Sequence, residues 1–272
     1  MTQDSRLKLN RIDQFFQQRN EPVLNIYFTA GFPQPDSTRT ILSGLQKAGA
    51  DLIEIGIPFS DPVADGPTIQ QSNKKALENG MTLRLLMEQL KGFREEVQVP
   101  VVLMGYLNPI VQYGIEQFCQ DCEAVGIDGL ILPDLPMYEY QIFYKEFFQK
   151  HGLHNIFLIS PQTSEARIRE IDANSQGFIY MVSSASVTGA KQGISQEQLG
   201  YFERIQQMKL KNPKLIGFGI SDRESFQQAS RYAEGAIIGS AFIKLLEKLE
   251  QPEQDIKNFV ESIKQPATQS AK

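Results

Sequence analysis

The chain has 272 residues, 41% hydrophobic and 22% charged, with 27 Lys and Arg against 32 Asp and Glu and a formal net charge of -5. This globular composition with an acidic balance excludes a basic nucleic-acid module, whose phosphate contacts need clustered cations. No apolar run approaches the ~20 residues of a membrane span, the N-terminus lacks a signal-peptide core, and the two cysteines cannot build a disulfide framework, so the expectation is a cytoplasmic protein.

The first predicted element is an amphipathic helix over 4–19, carrying Leu7, Leu9, Ile12, Phe15 and Phe16 and placed to close one mouth of the fold. Short apolar runs of β type follow at 23–29, 52–56, 101–105, 129–132, 155–159, 178–182, 214–217 and 235–238. Helical periodicity occupies 37–47, 83–95, 115–125, 138–150, 165–174, 196–210, 222–231 and 241–249. Each strand is thus followed by a helix, and a strand reached only through a helical crossover pairs in parallel. Eight such units fit a closed (β/α)8 TIM barrel, an α/β fold in which about 250 residues make one domain, here 1–272 with a frayed tail at 265–272. The rival, an open doubly wound sheet, more usually carries a G-x-G-x-x-G turn after its first strand; here that turn reads Thr29-Ala-Gly-Phe-Pro33.

A barrel places its chemistry at the C-terminal ends of the strands. There Glu54 interrupts the apolar run Asp51-Leu-Ile-Glu-Ile-Gly56. Alternation puts Leu52, Glu54 and Gly56 on one face and Ile53 and Ile55 on the other, against helices, so Glu54 points into the barrel. Burying a carboxylate is costly, which leaves two readings: a structural Glu neutralised by a basic partner, or an acid–base catalyst. The next segment, Pro58-Phe-Ser-Asp-Pro-Val-Ala-Asp-Gly-Pro67, is unsuited to regular structure. Its Asp61 and Asp65 either cap their own turns or hang a second, differently solvated acid over the first, as separate acid and base roles require.

The last strands supply glycines. Val187-Thr-Gly-Ala190 follows the sixth strand, Gly217-Phe-Gly-Ile-Ser221 the seventh and Gly239-Ser240 the eighth. Glycines let a backbone approach an oxyanion, and in barrels the loops after strands seven and eight commonly form a phosphate site, so a phosphorylated substrate is expected. Strands three and six carry no Lys, which disfavours an imine-forming aldolase. Cys119-x-x-Cys122 and His151-x-x-His154 imitate a zinc motif, but the cysteines fall in a helical pattern and the pairs are too far apart for a finger; no metal is expected, with buried thiols and solvated histidines instead. Lys191 and Gln192 are assigned to a lid.

The run Glu54-x-Gly-x-Pro-Phe-Ser-Asp-Pro-x-Ala-Asp-Gly-Pro67, with Val187-Thr-Gly189, Gly217-Phe-Gly-Ile-Ser221 and Gly239-Ser-Ala241, closely resembles the tryptophan synthase alpha chain family, and the similarity covers nearly the whole sequence. The resemblance implies a barrel that cleaves indole-3-glycerol phosphate to indole and glyceraldehyde 3-phosphate by a retro-aldol reaction. It implies Glu54 as the general acid/base and Asp65 as the acid that meets the indole N–H. It also implies phosphate held around Gly189, Gly219, Gly239 and Ser240, an indole pocket lined by Tyr27, Met104, Tyr180, Phe218 and Ile237, and Thr188 in the loop that closes. No cofactor is expected on this chain. The implied partner is a beta chain that carries pyridoxal phosphate, joined in an α2β2 complex, with Asp61 and its loop at the end that faces it. The sequence departs from the family at Ser184 and Ser186, where Arg and Gly are frequent. Two alternatives stand beside this reading: a sugar-phosphate isomerase or epimerase barrel, and a non-catalytic barrel that activates a partner.

Overall fold

The computed structural model describes residues 9–183, 195–217 and 219–264. Among these, nine parallel strands form one sheet: β1 Val23–Thr29, β2 Leu52–Gly56, β3 Val101–Met104, β4 Gly129–Ile131, β5 His154–Ile156, β6 Leu158–Ile159, β7 Ile179–Val182, β8 Lys214–Gly217 and β9 Gly235–Ile238. The order β5-β4-β3-β2-β1-β9-β8-β7-β6 makes β5 and β6 the two ends of the sheet. They are halves of the single strand expected at 155–159, joined by Phe157, whose carbonyl accepts from the Tyr180 N–H at 3.0 Å. The chain itself therefore closes the barrel, and the eight expected strands are all present.

The helical layer is richer than the sequence periodicity indicates. Helices at Pro67–Glu78, Leu107–Tyr113 and Pro252–Lys264 lie outside the expected set. The first begins on Pro67 at its N1 position, where the missing N–H costs nothing. The helix expected at 83–95 stops at Gln89, because Gly92 adopts φ +73°, and resumes as a 3-10 turn at Phe93–Glu95. The segment 138–150 runs as Met137–Glu139, a wider π turn at Tyr140–Tyr144, and Lys145–Lys150. Residues 265–272, expected as a frayed tail, lie outside the described residues. No described helix is long and apolar enough to cross a membrane.

The N-terminal mouth is closed as expected. The described helix is Arg11–Gln18, capped by the Asn10 side chain, which accepts from the Ile12 N–H at 2.8 Å. Asn10 Nδ2 also donates to the carbonyls of Asp128 and Gly152, which precede β4 and β5. Ile12, fully buried, packs against Gly129 and Gly177 beneath the barrel. Two buried aspartates organise this end. Asp51, ahead of β2, accepts from the Leu24 N–H and pairs with Arg19 and Lys264 at 2.9 Å each. Asp128, ahead of β4, accepts from the Val101 N–H and pairs with Arg11 and Arg94. Among the described residues, the cations paired with buried strand-end carboxylates sit at this mouth, away from the C-terminal ends of the strands.

Candidate active site

Register decides which side chains share the barrel interior, because residues paired directly in a parallel ladder face the same side. Tyr27 pairs with Glu54 and Thr29 with Gly56; Glu54 pairs with Val102 and Gly56 with Met104. On the other flank Asn25 pairs with Ile237, Leu215 with Gly235, Tyr180 with Leu215 and Val182 with Gly217. Tyr27, Glu54, Met104, Tyr180 and Ile237 therefore lie on one inner surface, all of them buried. The alternation expected around Glu54 is the alternation observed.

Glu54 is fully buried, and among the described residues no cation pairs with it; its Oε2 accepts from Asn25 Nδ2 at 3.1 Å, while Oε1 has no hydrogen-bond partner there. The structural reading, a Glu held by a basic partner, finds no such partner among the described residues. Burial pushes its pKa up to about 8, against the lowering effect of the Asn25 hydrogen bond and with a further raising contribution from Asp65. A carboxyl in this condition is protonated at neutral pH and can give that proton away.

Asp61 and Asp65 separate by solvation. Asp61 is exposed and accepts from the Ser60 hydroxyl within its own turn. Asp65 is buried, and its Oδ2 accepts from the Tyr106 hydroxyl at 3.2 Å; that hydroxyl accepts in turn from the Ala64 N–H at 3.0 Å. Tyr106 is itself held by stacking on Phe59, with ring centroids 5.0 Å apart. Burial raises Asp65 to about 6, partly offset by the Tyr106 hydrogen bond. Two acids in one pocket are thus pushed to different values, one neutral and one ionised at pH 7.

The aromatic walls depend on glycine. A β-carbon at Gly56 would fall 2.1 Å from the Tyr27 hydroxyl oxygen, and one at Gly217 would fall 2.3 Å from that of Tyr180. Tyr27 Oη is 3.3 Å from Thr29 Oγ1, which continues to Ser72 Oγ at 2.7 Å, so its ring is tethered as well as wedged. Burial and the nearby acids Asp65 and Glu54 raise the Tyr27 phenol; burial and the same two acids raise the Tyr180 phenol, and both stay neutral. The rim holds Gly219, with φ +77°, and Gly239 with Ser240 at the start of the helix Ser240–Leu246, at the ends of the neighbouring strands β8 and β9. Thr188, Gly189 and Phe218, and the lid residues Lys191 and Gln192, lie outside the described residues.

Three contributors escaped the sequence reading: Asn25, Tyr106 and the Thr29–Ser72 pair. Asn25 had a usable signal, a polar residue interrupting an apolar strand in the parity of Tyr27. The metal-like motifs resolve differently from expectation in one respect. Cys119 and Cys122 are buried on the helix Ile115–Val125, where burial raises the Cys119 thiol to about 12. The histidines are buried rather than solvated, because each satisfies a ring nitrogen on a carboxylate: His151 Nδ1 lies 2.6 Å from Glu123 Oε2 and His154 Nε2 lies 2.7 Å from Asp13 Oδ2. No cluster of three or more metal-binding side chains occurs among the described residues.

The family model described as tryptophan synthase alpha chain matches residues 14–271. The alpha chain of Flavobacterium psychrophilum is 58% identical over 255 residues, covering 94% of this chain and all of that one. Among solved structures, the alpha chain from Legionella pneumophila superposes with a TM-score of 0.83 at 35% identity, covering 94% of this chain and 96% of its own. A chain of tryptophan synthase from M. tuberculosis, in an aminoacrylate-bound form, superposes with a TM-score of 0.81 at 28% identity, covering 93% and 98%.

Proposed function

The chain belongs to the tryptophan synthase alpha chain family, lyases that cleave indole-3-glycerol phosphate in tryptophan biosynthesis, and from that premise we propose how its own residues carry the reaction. The observation that supports the reading best is the pair of buried acids raised to different extents, Glu54 to about 8 and Asp65 to about 6. Glu54 starts protonated and delivers its proton to indole C3. The ring becomes cationic, and ionised Asp65, at the indole N–H, stabilises that charge. Glu54, now a carboxylate, removes the proton of the hydroxyl on the carbon bonded to C3. As the carbonyl of glyceraldehyde 3-phosphate forms, the carbon–carbon bond breaks and its electrons return to the ring as neutral indole. Glu54 ends protonated, as it began, and the cycle needs no cofactor from this chain.

Tyr27, Met104, Tyr180, Phe218 and Ile237 take the flat indole ring, which aromatic and aliphatic walls suit better than a sugar. Gly189, Gly219, Gly239 and Ser240 take the phosphate, and Thr188 belongs to the loop that closes over it. The partner is a beta chain carrying pyridoxal phosphate, in an α2β2 assembly. It covers the rim where Asp61 and Val63 are exposed, so that indole passes from one site to the other. The whole chain works as one domain in the cytoplasm.

The test is release of indole from indole-3-glycerol phosphate by the purified chain with and without a beta chain. Glu54→Gln and Asp65→Asn are expected to fold and to lose turnover, Glu54→Gln by roughly 10²–10⁴-fold, the scale of a lost proton-transfer group, and Asp65→Asn by roughly 10²–10³-fold, the scale of a lost electrostatic stabiliser. Full activity in a folded Glu54→Gln protein would overturn the acid–base assignment of Glu54, whereas no indole release by wild type in either condition would leave a barrel whose role is to activate its partner.

A further inference from the structure

Glu54 presents two carboxylate oxygens to the barrel interior, and they are not equivalent. Oε2 accepts from Asn25 Nδ2 at 3.1 Å, whereas Oε1 is buried without a hydrogen-bond partner among the described residues. Asn25 lies on β1 two residues before Tyr27, fully buried, on the same inner surface and one strand away from Glu54. Its backbone is fixed on both sides, paired with Leu52 in β2 and Ile237 in β9. The amide therefore reaches Glu54 from a rigid wall, and an amide in the middle of Val-Leu-Asn-Ile-Tyr-Phe has no core-packing advantage over the aliphatic residues around it.

We propose that Asn25 is the positioning residue of the proton-transfer step: its side-chain amide holds one oxygen of Glu54 and leaves the other as the single point of proton exchange with the substrate. The anchor serves both stages of the cycle. While Glu54 is neutral, the bond fixes the plane of its carboxyl so that Oε1 faces the reacting carbon. Once the proton has left, the same N–H becomes a donor to a full negative charge in a buried site, where no described cation is available to share it. The charged and titratable groups that face Glu54 across the pocket are Asp65 from the loop after β2, Tyr27 from β1 and Tyr180 from β7. None of them is a cation, so Asn25 is the neutral donor that favours the ionised form.

The inference rests on the proton-transfer role proposed for Glu54, and the two can fail separately. The experiment is the pH profile of kcat and kcat/KM for indole release by Asn25→Leu, which keeps the size and removes the donor, and by Asn25→Asp, which keeps the shape and replaces the donor by an acceptor. Both are measured beside wild type and Glu54→Gln, with the thermal midpoint of each protein. In Asn25→Leu the alkaline limb of kcat/KM is expected to move up by about one pH unit, with kcat lowered roughly tenfold and KM unchanged, the scale of one hydrogen bond to a charged group. Asn25→Asp is expected to move the limb further in the same direction, because it sets a second acid against Glu54. Should Asn25→Leu fail to fold, Asn25→Ser, too short to reach Glu54, gives the same reading. A lowered thermal midpoint with the alkaline limb left in place would overturn the inference while Glu54→Gln remains inactive; an active Glu54→Gln protein would instead remove the reading beneath it.

Discussion

The hydroxyl of Tyr27 lies against the α-carbon of Gly56, so close that a β-carbon there would come within 2.1 Å of the oxygen and 2.6 Å of the ring carbon that bears it. Gly217 makes the same accommodation for Tyr180 on the opposite flank, at 2.3 and 2.6 Å. These glycines are neither turns nor hinges; they are recesses that let two rings stand inside the barrel beside Glu54. Gly56→Ala is expected to force the Tyr27 ring aside, destabilising the protein by about 1–3 kcal/mol as overpacking does and weakening substrate binding. In a Tyr27→Ala background the obstruction is gone, so the two changes together should cost clearly less than their sum. Thermal unfolding of the four proteins in the cycle, with KM for indole release, checks this; strict additivity would mean that the ring and the glycine are independent.

A catalytic cycle that starts with neutral Glu54 and ionised Asp65 fixes the shape of the pH dependence. The kcat/KM of indole release should fall as pH rises through about 8, where Glu54 loses its proton, and fall as pH drops through about 6, where Asp65 gains one. Tyr106→Phe tests the lower limb alone. The hydroxyl it removes donates to Asp65 and lowers its pKa, so the acid limb should move up while the alkaline limb stays. A profile with no limb that Tyr106→Phe displaces would contradict the assignment of the lower limb to Asp65.

The burial that raises the Glu54 carboxyl also costs stability. Its carboxyl has an ordinary value of 4.5 when unfolded and about 8 when folded. Between those pH values the folded state keeps a proton that the unfolded state has released, so stability is greatest below about 4.5 on account of this group and is lost as pH rises towards 8. The slope is about 1.4 kcal/mol per pH unit inside that window and vanishes above it. Asp65 adds a similar loss only between 3.8 and about 6. Denaturant unfolding from pH 6 to 8 should therefore show wild type losing ground steadily to Glu54→Gln. Parallel stability curves across that interval would mean that Glu54 is ionised when folded.

Glu54 is legible in the sequence because a charged residue inside an apolar strand has few structural explanations, and alternation alone gives its direction. Asn25 interrupts its strand in the same way and in the parity of Tyr27, a usable signal, but it carries no charge, so it stands out from a buried polar residue of the core less than Glu54 does. Tyr106 is harder still: its value lies in reaching Asp65, 41 positions earlier, and no local pattern encodes that meeting. The same distinction runs through the fold. Eight strand-and-helix units are written in apolar periodicity, whereas the helix Pro252–Lys264 is an addition after the eighth unit that the repeat does not demand. It is anchored through Lys264 to Asp51, 213 positions earlier. The break at Phe157 divides the residues that pair with β4 from those that pair with β7, and no turn residue announces it.

The N-terminal mouth offers a control, because it bears on stability and not on chemistry. Ile12 is fully buried beneath the barrel, and β-carbons at Gly129 and Gly177 would meet its side chain at 3.2 and 3.1 Å. Ile12→Ala removes three carbons from a closed contact and should cost about 2–5 kcal/mol, the range for such truncations in a packed core. The proposed site lies at the other ends of the strands, so kcat and KM for indole release should match wild type at temperatures where the variant is folded. Denaturant midpoints give the first quantity and steady-state kinetics the second. A loss of turnover without a loss of stability would show that this helix communicates with the site through the barrel, rather than sealing its base.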